Sequence, residues 1–203
     1  CINDMKERFH MNGKTIQVAD KGLNCARNIY EALKNGDGYI YSQSVKKLEE
    51  KEQNWVLLDN GYIEVKDDLG NVEFKYKKCI DKFTYKLDNS KFTVEQIRVA
   101  SFNPSLARKQ KAEILKQVDK IQYLSSSQAK RKEYGDASKY VTFTPVDSNG
   151  EVDDETIVVA SLNTEKIEKD LSLCGYNLII SSELKMKPLD IYRVYHRLWR
   201  IEE

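Results

Sequence analysis

Lys14-Thr-Ile-Gln-Val-Ala-Asp-Lys-Gly-Leu-Asn-Cys-Ala-Arg-Asn-Ile-Tyr-Glu-Ala-Leu-Lys-Asn-Gly-Asp-Gly-Tyr-Ile-Tyr-Ser42 decides the fold. Residues 14–19 alternate and are partly β-branched, which predicts a short strand. Asp20 follows at its carboxyl end. Asn24 is expected to cap a helix over about 25–34 whose apolar stripe is Ala26, Ile29, Tyr30 and Leu33. Asn35-Gly-Asp-Gly38 then closes the helix, as glycine beyond a C-cap does. Gly38–Ser42 reads as a second strand. Strand, helix and strand in sequence imply an α/β unit.

Outward from this unit the texture changes. Residues 46–53 form a charged connector. Short alternating segments follow with turn signals between them: Trp55–Leu58, Tyr62–Lys66, Val72–Tyr76, Phe83–Leu87 and Ile97–Phe102. They predict a β-meander. Residues 105–124 predict an amphipathic helix with Leu106, Ile114, Leu115, Val118 and Ile121 on its stripe and Arg108, Lys109, Lys111 and Lys116 outside. Tyr140–Thr144 and Thr156–Ala160 read as strands around the turn Asp147–Gly150. Thr164 is expected to cap a short helix, and Tyr176–Ser181 to form an apolar strand. The expected organisation is α/β over 1–45, a β-rich insertion with a basic helix over 46–162, and α/β again over 163–203.

The chain's 40% hydrophobic and 32% charged residues fit a globular protein, and without a run of about 18 apolar residues no transmembrane helix is expected. Cys1, Cys25, Cys79 and Cys174 form no CxxC pair and have only His10 and His196 beside them, which argues against a zinc site and fits a reducing compartment. The net charge of +1 neither demands nor excludes nucleic acid, but Lys185, Lys187, Arg193, Arg197 and Arg200 face Asp190 alone in a local basic strip. The Cys start and an end inside a helical pattern read as a fragment of a longer protein.

Pro188 and Asp190 open a terminal helix that carries a carboxylate on its apolar side. At about 100° per residue, Ile191, Leu198 and Glu202 fall within about 60° of Tyr195 and Trp199 about 40° to the other side, with Arg193, Arg197 and Arg200 opposite. An ionised glutamate among apolar neighbours needs a compensating positive partner. Asp20 at a strand end, where α/β sheets bind ligands, and Glu202 on a helix face can converge on a hard cation that takes oxygen ligands. Each also has a plainer reading, Asp20 as a turn residue and Glu202 as a solvated helix end.

Val18-Ala-Asp-Lys-Gly-Leu23 with Asn28-Ile-Tyr30 resembles the second-aspartate segment of DDE transposases of bacterial insertion sequences. Tyr195-His-Arg-Leu-Trp-Arg-Ile-Glu202 resembles their glutamate signature, in the branch with a β-rich insertion, and Gly175–Glu183 resembles the strand before it. Ser101–Lys111 resembles the basic helix of the insertion. The resemblance implies a ribonuclease-H-like core, here partial, whose Asp, Asp, Glu triad binds two Mg²⁺ or Mn²⁺ and cuts and joins DNA at transposon ends. Asp20 would be the second Asp and Glu202 the Glu, both catalytic and metal-binding. Tyr195, Arg193, Arg197, Arg200 and Trp199 would contact DNA, Tyr195 at a transposon-end phosphate. The implied partners are transposon-end and target DNA and a second copy in a synaptic homodimer, in the bacterial cytoplasm. Leu198 stands where many relatives carry Arg. The first Asp is expected upstream of Cys1, so this stretch alone is expected to be inactive. The alternatives are a ribonuclease-H-like nuclease without strand transfer and a non-catalytic DNA-binding derivative.

Overall fold

The computed structural model describes residues 6, 8, 13–127, 129–145, 154 and 157–197. It is mixed α/β, and its backbone contacts divide it into two compact units. The first takes the described residues up to Phe102 and those from Asn177 onward, and the second takes Asn103–Tyr176.

The first unit is built on one six-stranded sheet. β1 (Ile16–Ala19), α1 (Ala26–Lys34) and β2 (Gly38–Gln43) form the strand, helix and strand read from the sequence. β1 and β2 pair in parallel, Ile16 opposite Gly38 through Ala19 opposite Tyr41. α1 ends as expected: Gly36, at φ +73°, lets its N–H reach Leu33 O at 3.0 Å while the Asp37 N–H reaches Ala32 O at 2.9 Å. Those two bonds satisfy carbonyls that the helix leaves orphaned. The N-terminus differs from expectation. Cys25 is the cap residue and supplies no side-chain bond; Asn24 instead donates to the Ser42 carbonyl at 2.9 Å.

α2 (Glu50–Leu57) corrects the sequence reading, which placed a connector over 46–53 and a strand over Trp55–Leu58. Glu50 and Glu52 in the first turn favour the positive end of the helix. At the other end the Lys77 ammonium donates to the carbonyls of Trp55 and Leu58. Lys77 is 4% exposed and lies over the rings of Trp55 and Tyr62. Burial pushes its pKa down from the ordinary 10.5, and the Asp59 charge opposes that.

β3 (Ile63–Lys66), β4 (Val72–Leu87) and β5 (Ser90–Phe102) form an antiparallel meander. The sequence reading gave β4 as two pieces, Val72–Tyr76 and Phe83–Leu87, and β5 as its last part alone, Ile97–Phe102. They are instead two long strands joined at Asp88-Asn89, where Asp88 takes φ +52° as a tight two-residue hairpin turn requires. The polar stretch Lys77–Lys82 does not interrupt β4, because the inward Lys77 has carbonyl and aromatic partners.

β8 (Tyr176–Ser181) pairs antiparallel with β2, and the sheet order is β1-β2-β8-β5-β4-β3. Alternate residues of β2 point to opposite faces. Tyr39 and Tyr41 join Ile29 of α1, Val94 and Ile180 on one face. Ile40 joins Ile97, Val99 and Ile179 on the other, under Ile191, Tyr192 and Tyr195 of α5 (Pro188–Arg197). Phe74 stacks on Tyr192 with ring centres 4.1 Å apart.

In the second unit α3 (Pro104–Ser125) is capped by Asn103, whose side chain accepts from the Leu106 N–H. Ile114 and Ile121 are buried as read, whereas Leu115 is 52% exposed. A 3₁₀ segment, Arg131–Tyr140, kinks at Gly135. β6 (Val141–Pro145) and β7 (Val158–Leu162) pair antiparallel. The intervening turn expected at Asp147–Gly150 lies outside the described residues. α4 (Thr164–Ser172) is capped by Asn163 rather than Thr164, its side chain accepting from the Lys166 N–H at 2.9 Å. The buried Tyr140 hydroxyl donates to Asp170 at 2.9 Å.

Candidate functional site around Asp20

Asp20 follows directly on β1, on the side of the sheet that α5 covers. Extending the parallel register by one step sets it beside Ser42 of β2. The Ser42 hydroxyl donates to Asp20 Oδ1 at 2.7 Å, and the Tyr195 hydroxyl donates to the same oxygen at 3.0 Å. Tyr195 is 3% exposed and seated in the apolar cluster beneath α5, so only its hydroxyl tip reaches the carboxylate.

Two opposed effects set the charge of Asp20. Its partial burial raises the pKa. Bonds from Ser42, the Lys21 backbone N–H and Tyr195, with the Lys21 charge, lower it and prevail, leaving the carboxyl below its ordinary 3.8. Asp20 is therefore an anion at neutral pH, and the residue is exposed. It is a hard oxygen donor held in a fixed orientation, the kind of ligand that Mg²⁺ and Mn²⁺ take.

The residues singled out in the sequence fall into three groups. Asp20 and Tyr195, 175 positions apart, are in direct contact. Arg193 and Arg197 are exposed on α5. Trp199, Arg200 and Glu202, with Leu198, lie outside the described residues. Among the described residues no three His, Cys, Asp or Glu side chains gather closely enough to hold a metal ion. Asp20 fits such an ion by donor type, and further ligands would have to come from outside the described residues.

Sequence reasoning missed Ser42. Its signal was a lone hydroxyl after Tyr-Ile-Tyr in a buried strand, at 2% exposure. A buried hydroxyl costs free energy unless it is hydrogen-bonded, and here the partner is the carboxylate.

Two ion pairs lie at the opposite end of β1 from Asp20. Lys14 meets the Glu183 carboxylate at 2.6 Å, and Lys6 pairs with the buried Asp37. On α3, Arg108, Lys109, Lys111 and Lys116 are exposed, as the sequence pattern expects. No helix among the described residues is long and apolar enough to cross a membrane. No protein-family model, curated protein or solved structure matches this chain.

Proposed function

We propose that the chain is the catalytic-core portion of a DDE transposase of a bacterial insertion sequence, acting in the cytoplasm on transposon-end and target DNA, in a synaptic homodimer. One observation carries this reading: the Tyr195 hydroxyl lies 3.0 Å from Asp20 Oδ1. The two segments whose sequences resemble the aspartate and glutamate signatures thus meet at one carboxylate. In this reading residues 1–45 and 163–203, with β1, α1, β2, β8 and α5, belong to a ribonuclease-H-like core, and residues 46–162, with the long β4–β5 hairpin, belong to the insertion.

The residues divide the work by chemistry. Asp20, kept ionised by its hydroxyl and amide donors, would hold a divalent cation together with Glu202. A bound Mg²⁺ or Mn²⁺ supplies an activated water and neutralises charge building on the phosphoryl group. Arg193, Arg197 and Arg200 contact phosphates, which gives affinity and salt dependence rather than sequence readout. Trp199 stacks where a base leaves the duplex.

The test is DNA cleavage by the product of the complete open reading frame, titrated with Mg²⁺ or Mn²⁺. Asp20→Asn and Glu202→Gln are expected to abolish both cleavage and end joining. Equal cleavage by all three proteins would sink the assignment. Cleavage without joined products would favour a nuclease that lacks strand transfer.

A further inference from the structure

We infer that Ser42 is a positioning residue, whose hydroxyl fixes the orientation in which the Asp20 carboxylate meets a divalent cation. The inference rests on the reading of Asp20 as a cation ligand and adds a residue that reading does not contain.

A short loop joins β1 to α1. Its beginning and its end are both tied to Ser42. The Ser42 hydroxyl donates to Asp20 Oδ1 at 2.7 Å, and the Ser42 carbonyl accepts from Asn24 Nδ2 at 2.9 Å. Between these points the Leu23 N–H closes a turn onto the Asp20 carbonyl at 2.9 Å. Ser42 itself has little freedom. It is 2% exposed and opposite Ile179 in the β2–β8 ladder, so the hydroxyl is delivered by the middle of the sheet.

An exposed aspartate without such a partner samples several rotamers, and binding a cation then includes the cost of selecting one. A short bond from a buried hydroxyl removes that freedom beforehand. Tyr195 bonds the same oxygen but belongs to α5, so its hold depends on that helix being docked. Ser42 belongs to the sheet and holds Asp20 independently of α5. Groups that orient a metal-binding carboxylate in this way typically change metal affinity about 10–100-fold when removed.

The experiment is tyrosine-sensitised Tb³⁺ luminescence on the 203-residue chain, Tb³⁺ being the hard-cation probe. Far-UV circular dichroism of each variant runs alongside. Ser42→Ala is expected to weaken Tb³⁺ binding about tenfold and to shorten the emission lifetime as extra water reaches the ion. Ser42→Cys, nearly isosteric but a weak donor, is expected to do the same and covers the case in which the alanine variant fails to fold. Ser42→Thr keeps the hydroxyl and is expected to bind within about twofold of the unsubstituted chain. Asp20→Asn separates cation binding by Asp20 from its positioning by Ser42. If it abolishes binding while Ser42→Ala and Ser42→Cys bind normally, the positioning role is overturned and the cation reading stands. A threonine variant as weak as alanine overturns the positioning role in favour of packing. If Asp20→Asn binds as tightly as the unsubstituted chain, or that chain does not bind Tb³⁺, the cation reading falls and the inference with it.

Discussion

The Asp20 carboxylate combines exposure with three hydrogen-bond donors, and this makes its contribution to stability depend on pH. Its pKa is lowered in the folded protein, so the unfolded chain binds more protons in acid. The contribution is present above about pH 4, the usual aspartate range, and disappears as pH falls through the lower folded value. The acid limb of a stability-versus-pH curve is expected to flatten in Asp20→Asn; an unchanged limb would mean the donors do not favour the charged form. Tyr195→Phe removes one donor from an exposed acceptor and leaves the ring in its apolar seat. A loss of about 1 kcal/mol in chemical denaturation is expected. A loss as large as that of a core truncation, about 3 kcal/mol or more, would place the role of Tyr195 in packing rather than in the bond to Asp20.

At the scale of elements, α2 is held at its carboxyl end by a side chain from another strand. Lys77 is buried beneath Trp55 and Tyr62 with its ammonium on two helix carbonyls. Lys77→Met leaves those carbonyls without the donor and is expected to lower stability by about 1–3 kcal/mol. Lys78→Met, one position along on the exposed side, is expected to stay within about 0.5 kcal/mol. Equal effects in thermal denaturation would contradict the assigned role. This contact also explains which elements were legible in the sequence. β1, α1, β2, β8 and the start of α5 could be read because each is announced locally, by β-branched alternation, by Gly36 or by Pro188. α2 was misread because Trp-Val-Leu-Leu resembles a strand, and the lysine that terminates it as a helix is some twenty positions away. β4 was cut short for the same reason: a charged run looks like a loop until a distant partner accepts Lys77. In the site, Asp20 could be singled out by its position at a strand end, and Tyr195 by the resemblance of its segment to the glutamate signature. Ser42 could not, because its significance is a parallel register that no local pattern records.

On the scale of the whole molecule, the second unit enters and leaves at neighbouring points. The Asn103 N–H donates to the Gly175 carbonyl at 2.9 Å, and the Gly175 N–H donates to Gln110 at 2.8 Å. A segment with adjacent ends and its own buried residues, among them Ile114, Ile121, Tyr134, Tyr140 and Ile167, meets the conditions for an autonomous domain. The fragment 103–176 is expected to unfold cooperatively by circular dichroism when expressed alone; a structureless fragment would contradict this. The first unit carries the proposed chemistry, and there the central claim is that Asp20 and Glu202 serve one cation site. Mn²⁺ soaked into crystals of the chain, located by its anomalous scattering, tests that claim most directly. A peak is expected in contact with the Asp20 carboxylate, with the Glu202 carboxylate on the same ion or on one about 4 Å away. A well-ordered Glu202 directed away from Asp20, with no Mn²⁺ on the aspartate, would contradict it.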